Sequence, residues 1–133
     1  MQAEGPIFLP CHFGEWLQGK LGPDGPVALV TLVPQGVGLT AWRRPARGLF
    51  SHAMGYGALA PAVLTRFCRA LGGQPQGRFL LRLPYPPGMG TGMSTAGLLA
   101  LAGAGHAPEA LARACIAAEG ASDPLMFSAP AQR

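Results

Sequence analysis

"PPGMGTGMST" spans residues 86–95. Glycine recurs at alternate positions, Gly88, Gly90 and Gly92, behind Pro86 and Pro87 and ahead of Ser94 and Thr95. The stretch before it, "GRFLLRL" at 77–83, alternates from Arg78 to Arg82 and is predicted to be a strand. The stretch after it, 94–104, is rich in Ala and Leu and is predicted to be a buried helix. Strand, glycine segment and helix in that order put the glycines at a helix N-terminus. About four backbone N–H groups there lack intrahelical partners. The helix dipole adds roughly half a positive charge. Glycines let the backbone wrap close to an anion, while Thr91, Ser94 and Thr95 offer hydroxyls to phosphate or Mg²⁺. Two readings stay open on these residues alone: a phosphate cradle, or a turn joining a strand to a core helix. The spacing is neither a Walker A loop, since no Lys follows, nor GxGxxG.

Working outward, residues 6–14 read as a short strand broken at Pro10, and 15–21 can continue it. "GPDG" at 22–25 is turn chemistry. "PVALVTLVP" at 26–34 is an apolar β-branched run, predicted to be a buried strand, and 36–42 is predicted to pair with it. Arg43, Arg44 and Arg47 are expected on a solvated loop at its end. Residues 58–71 carry a helical pattern with Ala62, Leu64, Phe67, Cys68 and Leu71 on one face, stopped by Gly72 and Gly73. Residues 105–120 form another predicted helix, with Pro108 in its first turn, and 121–133 read as irregular. Strands, a helix, a strand and two helices imply an α+β fold, one domain over residues 1–133.

Composition narrows the class. Of 133 residues, 49% are apolar and 12% charged, too hydrophobic a balance for disorder. The net charge of +4 is modest, and no stretch interleaves aromatic with basic residues, so nucleic acid is not an expected partner. Cys11, Cys68 and Cys115 form no CxxC pair and no zinc spacing, which fits a reducing cytoplasm. No signal peptide is indicated. The apolar run near 98–104 is far short of the ~20 residues that span a bilayer, so no membrane partner is expected.

Two further segments can carry chemistry. Glu119 and Asp123 close the last predicted helix. Beside a phosphate loop, such carboxylates could hold Mg²⁺ and take a proton from an attacking hydroxyl; for such spacing an acidic pair in a solvated loop is the commoner case. "GEWLQG" at 14–19 sets Glu15 and Gln18 between glycines, suited to a small polar substrate or simply to a β-turn.

Taken together, three stretches resemble the N-terminal half of the GHMP kinases, small-molecule kinases named for galactose, homoserine, mevalonate and phosphomevalonate. The branch most resembled is the L-threonine kinase of cobalamin biosynthesis and propanediol utilisation. "PCHFGEWLQG" at 10–19 is similar to that branch's opening P-x-x-x-G-E-x-x-Q-G. "PPGMGTGMSTA" at 86–96 sits where the family has its phosphate loop. "LARACIAAEGASDPLMF" at 111–127 is similar to a helix ending in Glu, then Asp, then an apolar run. The three occur in the family's order and at about its spacing.

The resemblance implies ATP and Mg²⁺ as cofactors. The triphosphate would lie along Pro86, Gly88, Gly90, Thr91, Gly92, Ser94 and Thr95, with Ser94 and Glu119 as metal ligands. Asp123 would be the catalytic group at the acceptor hydroxyl, and Glu15 and Gln18 would contact a small hydroxylated substrate, L-threonine as the first choice. The implied fold is the family's N-terminal domain, similar to the second domain of ribosomal protein S5, with a left-handed β-α-β crossover. The resemblance spans the first half of a usual member, so the family's C-terminal domain is absent here, and a separate chain is an expected source of it. The sequence departs from the branch at Met93 (a serine in the loop), Met89 (often Lys) and Gly97 (Asp), and carries one extra residue between Glu119 and Asp123. These departures keep a second reading open, a non-catalytic nucleotide-binding or regulatory remnant. A third, an S5-like RNA binder, rests on fold analogy and charge.

Overall fold

A computed structural model describes residues 4–56, 59–103 and 105–120, with the backbone alone described at 4, 14–18 and 29. Six strands and three helices lie among the described residues: β1 (Glu4–Pro10), β2 (Phe13–Lys20), β3 (Val27–Leu32), β4 (Gly38–Arg44), β5 (Leu49–Gly55), α1 (Pro61–Leu71), β6 (Gly77–Leu83), α2 (Met93–Ala102) and α3 (Pro108–Glu119). The class is α+β. Strands β1, β4, β6 and β5 form a mixed four-stranded sheet in that order, and β2 and β3 form a separate antiparallel ribbon. Within the large sheet, β1–β4 and β4–β6 are antiparallel. The β5–β6 pair is parallel, joined by a crossover through α1.

Period-two alternation sorts the sheet's two faces. Leu39 and Ala41 of β4 and Phe79, Leu81 and Leu83 of β6 are buried on one face. Helix α2 lies over that face and touches β1, β4 and β6. It is apolar all round, as a helix covered on every side must be, and even its glycine is enclosed. Helix α3 packs on both α2 and α1, bringing Ala114, Cys115 and Ala118 to the core beside Phe67 of α1. Helix α1 ends at Gly72, whose left-handed φ of 82° lets the N–H groups of Gly72 and Gly73 reach the carbonyls of Arg69 and Cys68.

The opposite face is exposed and mixed. Phe8, Thr40, Arg82 and Met54 are register partners across all four strands. Trp42, Leu80 and His52 make the next row, and Arg44, Arg78 and Phe50 the one after.

Several expectations need correction. The 26–34 run is not a buried strand: β3 pairs with β2, and Val27, Val30 and Leu32 are all exposed. Nor does 36–42 pair with it; β4 runs between β1 and β6 instead. A β-branched run reads the same in a two-stranded ribbon as in a core sheet, and the ribbon has no layer to bury it. Arg43 and Arg44 belong to β4 rather than to a loop. Arg43 donates to the Gln76 carbonyl from Nη2 at 2.9 Å and sits over the Phe79 ring. Residues 49–55, which carry no clear sequence signal, form β5. The break after β1 falls at Cys11 and His12, one residue beyond Pro10. Ala62 is exposed, off the buried face of α1. No helix among the described residues is long and apolar enough to cross a membrane.

Candidate functional site

Strand β6 ends at Leu83, and the chain turns through 84–92 into α2. The glycines of this loop have one purpose visible in the backbone. Gly88, Gly90 and Gly92 have φ of 86°, 72° and 75°, while no non-glycine residue among the described residues has positive φ. Handedness therefore alternates residue by residue from 88 to 92. Successive residues of opposite handedness can turn their N–H groups to one side and form a nest for an anion. A Cβ on Gly88 or Gly90 would meet nothing within 4 Å. Conformation, rather than close packing, is what demands glycine there.

Gly92 is the N-cap of α2, and no side chain caps the helix. Ser94 is half-buried and Thr95 is 1% exposed. Thr91 is buried, and its Oγ1 has no hydrogen-bond partner. A buried hydroxyl without a partner costs free energy. The loop is anchored on its other side, where the His12 backbone N–H donates to the Thr91 carbonyl at 3.1 Å. The Phe13 and Tyr85 rings meet edge to face at 5.5 Å. These two contacts hold the start of β2 against the loop.

Glu119 arrives from the far end of α3. Thr95 Oγ1 donates to Glu119 Oε2 at 2.5 Å, across 24 positions of sequence. Two of the residues singled out from sequence are therefore in direct contact at the first turn of α2. The backbone just before Glu119 is tied down by a residue that sequence reasoning missed. Arg66 of α1 donates from Nε and Nη2 to the Ala118 carbonyl at 2.8 and 2.6 Å. A guanidinium at a helix C-terminus also meets the negative end of the dipole. Nothing in the local sequence marks Arg66, because its partner is a backbone carbonyl 52 positions away.

Glu15 and Gln18 lie in β2, opposite Thr31 and Leu29 of β3. Asp123 lies outside the described residues. The two methionines of the loop diverge: Met93 is 1% exposed and part of the core, whereas Met89 is 67% exposed. The loop is thus not lined by both. Gly97 is enclosed, and a Cβ there would lie 2.9 Å from Leu59 Cδ2.

No group of three or more His, Cys, Asp or Glu side chains suited to a metal occurs among the described residues. The donors at the loop nonetheless fit Mg²⁺ of the nucleotide-bound kind, which takes one or two carboxylates and completes its shell with phosphate and water. Thr95 uses one acceptor site of Glu119, and a carboxylate has about four. Comparison with protein-family models, curated proteins and solved structures finds no match.

Proposed function

We propose that this chain is an ATP-phosphate-binding domain of the GHMP kinase type, acting on a small hydroxylated substrate with L-threonine as the first choice. The observation that carries the reading is the loop itself. Alternating backbone handedness at 88–92 leads into an uncapped helix, with Thr95 bonded to Glu119 beside it. ATP would supply the transferable phosphoryl group, and Mg²⁺ would neutralise its charge. The chain's own part is positional. The N–H groups of the loop and first helical turn hold the triphosphate, with Pro86 shaping the entry. Ser94 and Glu119 offer metal ligands, Thr95 bonds the Glu119 carboxylate, and Arg66 holds the neighbouring Ala118 carbonyl. Glu15 and Gln18 orient the acceptor, and Asp123 receives the hydroxyl proton. Positioning and charge neutralisation are the main sources of rate in such transfers.

The mixed sheet supports the finer fold assignment, an S5-like domain. In that assignment the parallel β5–α1–β6 unit would be the left-handed crossover. A cytoplasmic location and a separate chain supplying the C-terminal domain belong to the same proposal. A second reading, a binding module without turnover, is favoured by Met93, which gives its side chain to the core where the family has a hydroxyl.

The test is phosphoryl transfer by the full chain together with a chain supplying the C-terminal domain, with ATP, Mg²⁺ and L-threonine, followed by ³¹P NMR. Phosphothreonine is expected, and Ser94→Ala or Glu119→Gln should abolish it. Bound ATP with no transfer to any hydroxylated amino acid, even with the second domain supplied, leaves the binding-module reading.

A further inference from the structure

The exposed face of the four-stranded sheet is independent of the loop and has its own chemistry. Arg44, Arg78 and Arg82 all stand on it, exposed. None has an acidic register partner: Arg82 lies between Thr40 and Met54, and Arg78 between Arg44 and Phe50. Two exposed aromatic rings share the rows of these charges. Phe50 is 53% exposed with the Arg78 guanidinium 5.3 Å from its centroid, and Phe8 is 48% exposed in the row of Arg82. Toward the Arg82 end, the face dips into a recess of about 510 Å³ whose walls include Phe8, Thr40, Met54, Tyr56 and Arg82. The interleaving of aromatic and basic residues that no stretch of sequence contains is therefore assembled across the sheet.

We infer that this face binds single-stranded nucleic acid. Three cations with no acidic partner in register complement a polyanion, and exposed rings supply faces on which bases stack whatever their identity. A guanidinium beside a ring extends the stacking surface and leaves N–H donors for phosphate. A second copy of this chain is disfavoured as occupant. Its identical face would set arginines against arginines around a two-fold axis. Duplexes are also poorly matched, because their bases are already stacked and cannot reach the rings.

Fluorescence anisotropy of labelled oligouridylate with the full chain tests the proposal. Three phosphate contacts give a log–log salt slope of about −2, so affinity should fall about 20-fold between roughly 50 and 200 mM salt. Arg78→Ala or Arg82→Ala should each reduce the slope by about 0.7. Phe50→Ala should weaken binding on the order of 5- to 100-fold and leave the slope unchanged. All three side chains are exposed, and circular dichroism will verify that the variants fold. The inference is overturned by three results: no binding at low salt, a wild-type slope near zero, or equal affinity for polyglutamate or for phosphatidylserine vesicles. The last result would assign the face to acidic protein or membrane instead.

Discussion

Replacing Thr95 with Val tests whether the contact that joins the loop to α3 contributes to the fold. Valine keeps the shape and deletes only the hydroxyl. Thr95 is 1% exposed and donates to a carboxylate at 2.5 Å. Hydrogen bonds to charged groups are worth about 1.5–3 kcal/mol. Glu119 is half-buried, so water can take over part of its solvation in the variant. The low end of that range, about 1.5–2 kcal/mol, is therefore expected. For 133 residues the unfolding entropy is roughly 280 cal/mol/K, so Tm should fall by about 5–7 °C. The assay is thermal and urea unfolding of wild type, Thr95→Val, Glu119→Ala and the double variant. The two substitutions should be coupled by about 1 kcal/mol or more. Coupling below about 0.3 kcal/mol, within the additivity of independent sites, would refute the contact as a stabilising link.

Other perturbations probe the surroundings. Arg66→Ala removes both donors from the Ala118 carbonyl and should cost about 1 kcal/mol in urea unfolding. If Arg66 positions Glu119, the variant should also bind Mg·ATP less tightly, and Arg66→Lys should restore part of both effects. Gly97→Asp would place a carboxylate in an enclosed site against Leu59. It should destabilise by several kcal/mol, well beyond Gly97→Ala in the same assay. Burial pushes the thiols of Cys11 and Cys68 up from their ordinary range. Their folded pKa values exceed the unfolded one, so their contribution is complete below about pH 8.5 and is lost as pH rises through the folded values. Urea unfolding from pH 7 to well above that range should show the decline, and Cys11→Ala should flatten it.

How much of this was legible in the sequence varies with the range of the interaction concerned. β6, α1 and α2 follow from local alternation, helical periodicity and glycine stops, and all three formed close to where those signals placed them. The strand–glycine–helix order located the loop, because φ signs at 88, 90 and 92 depend on residue type more than on context. β5 escaped because "LFSHAMG" mixes polar and apolar residues on a strand that lies at the sheet edge. The β3 pairing was misjudged because local pattern does not distinguish partners. Glu119 and Thr95 were each identified as candidates, but their contact depends on how α3 lies on α2. Arg66 and the arginine–aromatic rows of the open face depend wholly on tertiary placement. No window of sequence holds both halves of either.

Titration of the full chain with ATP in the presence and absence of Mg²⁺, followed calorimetrically, bears most directly on the phosphate loop. Saturable one-to-one binding is expected, tightened by Mg²⁺. Glu119→Gln should remove the Mg²⁺ dependence while leaving the metal-free affinity nearly unchanged, because the loop N–H groups are intact. Gly90→Val, which forces a branched side chain into a φ of 72°, should weaken binding with and without metal. Absence of ATP binding in wild type, or binding indifferent to Gly90→Val, would contradict the assignment of residues 86–95 as a phosphate loop.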